Sequence, residues 1–180
     1  MNNLKIKTLY PFSATWLDYP DAESYAVYVS SIGCNLNCGG CHNQILHDYK
    51  ADEKNEFIKT KTFTLKEFQS ELLDVCYRNK TNKVVLGGAD FLYRENIDFT
   101  RQFIKSYGNV YKICLYTGYT ADQVKAKDIK GFTFLKCGAY TEKFKQEPIK
   151  TDNYIQLAST NQEIYDSRFN CLSRNGRMQF

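Results

Sequence analysis

The sequence predicts an α/β fold, a partial, open βα barrel of about four or five parallel strands. Three observations predict it. β-branched and aromatic runs alternate with stretches of helical period from residue 24 to residue 135, the pattern of βα units around a parallel sheet. The first three of these strands run into turns that carry glycine, at Gly33, Gly87-Gly88 and Gly118. The chain of 180 residues is also too short for a closed eight-unit barrel, which takes about 250.

The first predicted strand is S-Y-A-V-Y-V-S (24–30), running into Ser31-Ile32-Gly33. Residues 47–62 are highly charged without a clear period, and they read as a solvated insertion or loop within a single domain spanning 1–180. Thr64 and Glu67 form a capping-box pattern at the head of a helix over 63–77, where Leu65, Phe68, Leu72, Val75 and Cys76 recur at helical spacing. N-K-V-V-L-G-G-A-D (82–90) is a second strand, broken by Gly87-Gly88. Phe99, Phe103 and Tyr107 share one face of a helix over 97–107 that Gly108 stops. Val110–Tyr116 is a third strand, ending in Thr117-Gly118-Tyr119, and Thr120 with Gln123 caps a short helix over 121–127. Phe132–Leu135 gives a fourth strand and Tyr154–Leu157 a fifth; the last twenty or so residues are ambiguous. The turns Cys34–Cys41, Gly87–Asp90 and Thr117–Tyr119 then share the carboxyl edge of the sheet, where α/β folds place ligands.

Composition excludes several classes. The content is 43% hydrophobic and 15% aromatic, enough for a packed core. The 24 basic and 20 acidic residues are interspersed, so no nucleic-acid groove is expected. No targeting segment stands out, and no apolar run approaches the ~18 residues of a membrane helix, which predicts a soluble, cytoplasmic chain without membrane contact. Seven cysteines do not suit a disulfide scaffold. Cys76 and Cys114 read as small buried hydrophobes, and Cys137 and Cys171 as buried or incidental thiols.

Cys34, Cys38 and Cys41 are different, three thiols within eight positions just past a strand end. Two centres suit them. A structural zinc wants four closed ligands, with His42 too close to Cys41 for easy co-ligation and His47 further along. A [4Fe–4S] cluster normally takes four cysteines, so three leave one iron open to a small molecule. An open coordination position is where catalytic metal sites take substrate.

The Cys-x3-Cys-x2-Cys spacing at the end of a first strand resembles the signature of the radical S-adenosylmethionine (SAM) superfamily. Within it, the chain looks most like the anaerobic ribonucleoside-triphosphate reductase activating proteins. V-S-S-I-G-C-N-L-N-C-G-G-C-H-N-Q is similar to their cluster segment and V-V-L-G-G-A-D-F-L to their Gly-Gly-acid-Pro-Leu segment. L-Y-T-G-Y (115–119) is similar to their third-strand ending and A-S-T-N-Q-E-I-Y-D (158–166) to their C-terminal segment. The resemblance implies a radical SAM fold in which Cys34, Cys38 and Cys41 hold three irons of a [4Fe–4S] cluster and SAM chelates the fourth. It implies that Gly40 and His42 line the adenine side, with His42 as a flat stacking surface, and that Gly87 and Gly88 bring carbonyls to the SAM ammonium. Thr117 and Tyr119 either face the ribose or pack. The implied reaction is reductive cleavage of SAM to a 5′-deoxyadenosyl radical, which takes a glycine hydrogen from the large glycyl-radical subunit of an anaerobic ribonucleotide reductase. A low-potential electron donor is implied as a second partner.

The chain departs from that pattern in places. Ala89 stands where the family has Glu or Asp, and Asp90 where it has Pro, so Asp90 is the nearest substitute for the missing acid. D-Y-P-D-A-E-S-Y-A (18–26) replaces a glycine-rich turn and an Arg, and an acidic position near Phe134–Gly138 is also replaced. Two rival readings accompany the activase: a radical SAM enzyme for a small molecule, of the 7-carboxy-7-deazaguanine synthase kind, and a non-catalytic metal-binding module.

Overall fold

The computed structural model describes residues 4–21, 25–147 and 157–178. Its strands are β1 (Lys5–Leu9), β2 (Ser13–Thr15), β3 (Ala26–Ser31), β4 (Thr60–Thr64), β5 (Lys83–Gly88), β6 (Lys112–Tyr116), β7 (Phe134–Cys137), β8 (Glu163–Asp166), β9 (Ser173–Arg174) and β10 (Arg177–Met178). Its helices are α1 (Ala51–Lys54), α2 (Leu65–Arg78), α3 (Ile97–Tyr107) and α4 (Ala121–Ala126).

Eight strands form one open sheet in the order β4-β1-β3-β5-β6-β7-β8, with β2 alongside β3. The fold is the expected mixed α/β class with a partly parallel sheet: β3, β5, β6 and β7 are the four parallel strands. Antiparallel strands flank them, β1, β2 and β4 on one side and β8 on the other. The fifth strand expected at Tyr154–Leu157 lies outside the described residues except for Leu157, which is buried and in no strand.

The charged stretch 47–62 is more ordered than its composition suggests. It holds α1 and the start of β4, which pairs with β1 over five residues. Lys7 on β1 donates to Asp52 at 2.5 Å and to the Tyr49 carbonyl at 3.1 Å, which fastens the segment to the sheet. An edge of β1 with free backbone donors and acceptors recruits such a strand whatever its side chains, and periodicity does not register that.

Alternation along the strands sorts the side chains onto two faces. Val27, Val29, Val84, Leu86, Ile113, Leu115, Leu135 and Cys137 face the helices and form one core with Phe68, Leu72, Phe99, Phe103 and Val124. Both predicted capping boxes are present, Thr64 with Glu67 and Thr120 with Gln123, each contributing about 1 kcal/mol to its helix. The opposite face carries Ala26, Val85 and Cys114 with Tyr28, Tyr116 and Phe134. The segment before β3 closes it from below: Tyr19 packs edge-on against Phe134, and the Tyr116 hydroxyl donates to the Asp18 carbonyl. Among the described residues no helix is long and apolar enough to cross a membrane.

Candidate metal centre

The loop that follows β3 is pinned at its neck. The Gly33 N–H donates to the Leu46 carbonyl at 2.8 Å and the Cys34 N–H to the His47 carbonyl at 3.1 Å, while Leu46 is buried beneath. Inside the neck the Cys41 N–H donates to the Cys38 carbonyl at 3.2 Å, making a turn between the second and third cysteines. Cys34, Cys38 and Cys41 are free, half-buried thiols that line one cavity of about 300 Å³.

The other two turns meet this loop. The Asn43 side-chain amide donates to the Gly88 carbonyl at 3.3 Å, and the Tyr119 hydroxyl to the Asn35 side-chain oxygen at 3.4 Å. Leu36 lies where a side chain on Gly118 would be. The edge that the strand order predicts as the ligand edge is therefore one assembled site.

Of the expected site residues, His42 and Gly88 line the cavity with the three thiols, as do Ala89 and Thr117. His42 is exposed, and its ring is tilted 41° to Tyr140 at 5.9 Å between centroids. Gly40 is set back from the cavity lining; with φ +76 it forms the turn against Tyr140 and Glu142. Gly87 also sits outside the lining: the Tyr28 hydroxyl occupies the space a side chain would need there, and accepts a hydrogen bond from the Gly88 N–H at 3.1 Å. Tyr119 packs against the core and is absent from the lining.

Asp90 does not replace the missing acid in the cavity. It is buried, and its carboxylate accepts from the Leu92 N–H at 2.7 Å, the Thr117 hydroxyl at 2.9 Å and the Gly118 N–H at 3.1 Å. It thus bolts the β5 turn to the β6 turn. Asn96, which sequence patterns leave silent, does similar work, donating to the Ile32 carbonyl at 2.9 Å and the Asp90 carbonyl at 3.0 Å. Its burial and its lack of a side-chain capping bond exist only in the fold, so no sequence signal marks it.

Burial pushes the Asp90 carboxyl up to about 6, against the lowering effect of its donors. A folded value above the unfolded one of about 3.9 adds stability fully below pH ~4, and that stability is lost as pH rises through ~6. Metal-free protein should therefore lose stability between about pH 4 and pH 7 relative to Asp90→Asn, whose own stability lacks this component. Denaturant titrations of both proteins across that range check it; parallel curves would remove the buried, ionising carboxylate.

The thiols fit an iron–sulfur centre by the chemistry of their surroundings. The Leu36 N–H donates to Cys34 Sγ at 3.5 Å and the Asn43 N–H to Cys41 Sγ at 3.4 Å, contacts of the kind that stabilise thiolates bound to iron. Without a metal, burial pushes the Cys34 thiol up to about 11, helped by Asp90 and the neighbouring thiols; coordination to a metal removes that proton. Among the described residues no three His, Cys, Asp or Glu side chains converge to hold a single metal ion. A cuboidal cluster asks for a different arrangement, one thiolate on each of several irons.

QueE from Escherichia coli, of known crystal structure, is 16% identical over 64% of this chain, with a TM-score of 0.41. That match spans 54% of the QueE chain and is too loose to carry a function across. No curated protein matches the sequence. The family described as "4Fe-4S single cluster domain" matches residues 24–165, from just before β3 into β8 and across all three clustered cysteines. The chain belongs to the 4Fe-4S single cluster domain family.

Proposed function

We propose that the chain is a radical SAM activase that installs a glycyl radical on a large partner, an anaerobic ribonucleotide reductase. The observation that carries it is where space is lacking. Beneath the cysteine loop, the face of the sheet away from the helices is filled by Tyr19, Tyr28, Tyr116 and Phe134. The cavity that remains, about 300 Å³, is at the lower end of the range for a single drug-sized ligand. SAM on a cluster uses that room, and a further substrate must then present itself from outside, as a loop of a protein partner does.

In this proposal Cys34, Cys38 and Cys41 hold three irons, and the open fourth takes SAM. A bound cluster would supply reductive cleavage of SAM, with one electron delivered by an external low-potential donor, and so the means to remove the glycine Cα hydrogen. Gly88 offers its carbonyl to the SAM ammonium, since Ala89 brings no carboxylate to the cavity and Asp90 is engaged below. His42 and Tyr140 give the adenine an aromatic wall at the rim. Asn43 holds the cysteine loop against Gly88, so ligand and cluster keep one spacing.

The test is anaerobic. Reconstituted protein with SAM and a strong reductant should form 5′-deoxyadenosine, and addition of the reductase from the same organism should yield a glycyl radical by electron paramagnetic resonance. Nucleoside without a radical on the reductase would favour a small-molecule substrate. A cluster-loaded protein that forms no nucleoside would end the SAM proposal.

A further inference from the structure

The charged segment 47–62 is fastened to the sheet at several points. Asp52 accepts from the Lys7 ammonium and from the Thr60 hydroxyl, both at 2.5 Å. Beyond α1, the Asn55 side chain accepts from the Phe57 N–H and the Asn55 carbonyl from the Ile58 N–H, both at 3.0 Å. This turn fixes the backbone at Phe57, yet the side chain it presents is left in water, with the residue 86% exposed.

Phe57 does not stand alone. It lines a groove of about 340 Å³ together with Leu9, Pro11, Tyr28, Ser30 and Lys59. Tyr28 and Ser30 are the half-buried side of this groove, and Pro11, Phe57 and Lys59 the exposed one. Tyr28 also lines the cysteine cavity, and Ser30 packs against Gly88 at the cavity wall. Groove and cavity are therefore neighbouring spaces that share the Tyr28 side chain.

The lining says what fits. Its exposed side suits a chain laid across the groove, whereas a small molecule is held by enclosure. Leu9, Pro11 and Phe57 suit an aliphatic or aromatic side chain, and aromatic anchors of this kind carry much of the energy of protein interfaces. Among the described residues the Lys59 ammonium has no partner, so it favours an acidic neighbour. An extended chain advances about 3.3 Å per residue, so a segment seated here places its next few residues at the cavity.

We propose that this groove docks an extended segment of the reductase a few residues from the glycine, with an apolar side chain against Phe57 and an acidic one toward Lys59. The choice of partner rests on the activase reading, and the test separates the two.

The experiment measures binding kinetics of the large reductase subunit from the same organism on immobilised, cluster-loaded protein. The proteins compared are the wild type, Phe57→Ser, Lys59→Glu and Tyr77→Ser. Tyr77 is the matched control, 82% exposed on α2 and beside Lys83, at the opposite end of β5 from Gly88. All three substitutions are at exposed positions, so melting temperature and 5′-deoxyadenosine formation without the reductase should match the wild type. Phe57→Ser should dissociate about tenfold faster. Lys59→Glu should associate more slowly at low salt and match the wild type at about 1 M salt. Tyr77→Ser should bind as the wild type does. A Phe57→Ser protein that dissociates like the wild type would overturn the proposal, and so would an equal loss from Tyr77→Ser. Lys59→Glu without effect would remove the acidic contact. Groove-dependent binding without a glycyl radical overturns the activase reading and leaves the docking surface standing. No binding by the wild type overturns both.

Discussion

Cys38→Ala should abolish the cluster. After anaerobic reconstitution its iron content falls from about four per chain toward zero, and 5′-deoxyadenosine formation falls to the level of a protein-free control. The substitution is clean because of what it leaves in place. The Cys41 N–H donates to the backbone carbonyl of residue 38, so the turn between the second and third ligands survives the change. The neck of the loop, Gly33 on Leu46 and Cys34 on His47, is also backbone. The metal-free variant should therefore melt within about 0.5 kcal/mol of the metal-free wild type, as a partly exposed substitution does. Cys171→Ala is the matched control: Cys171 is exposed, and its thiol donates only to the Ser173 carbonyl. Retention of a full iron complement by Cys38→Ala would remove the three-thiolate centre, and zinc in place of iron would return the metal-binding module.

Particular residues show what was legible beforehand. Thr64 and Glu67, or Thr120 and Gln123, announce their helices because a capping box is local chemistry between residues three apart. The parallel core was equally plain, since strands buried on a shared sheet read as short β-branched runs. β1 was not. Lys5–Leu9 alternates, with Ile6 and Thr8 buried, but five residues headed by lysine carry a weak signal next to a charged partner strand. At the site, the grouping of Cys34, Cys38 and Cys41 follows from spacing alone. What Asp90 and Asn96 do does not, because each role depends on a strand end that is distant in sequence. Asp90 reads from the sequence as a substitute for the missing acid and is instead a bolt between two turns.

Gly88→Ala should be the most destabilising of the glycine substitutions at the site. Gly88 has φ +87, and a Cβ there would lie 2.6 Å from Ser30 Cα and 2.8 Å from the Ser31 nitrogen. Those are backbone atoms of β3, the strand paired to β5 at Ser31 and Gly88, so no side chain is available to give way. Relief requires the end of β5 to move off β3, which strains the Ala89 N–H bond to the Ser31 carbonyl and the Gly88 N–H bond to Tyr28. The left-handed backbone alone costs about 1–3 kcal/mol, and the displaced contacts add to it. A total of about 3 kcal/mol lowers the melting temperature by roughly 6–12 °C for a chain of this size. Gly87→Ala should cost less, because its Cβ meets the far end of the Tyr28 side chain, which can swing. Gly39→Ala should be nearly silent, since nothing lies within 4 Å of a Cβ there. Thermal melts of the three metal-free variants give that order directly. Because Gly88 also faces the cavity, its variant should bind S-adenosylhomocysteine more weakly even at temperatures where it is fully folded. A Gly88→Ala protein that melts with the wild type would mean that the end of β5 is not held against β3. The carbonyl of Gly88 would then have no fixed position from which to meet a ligand.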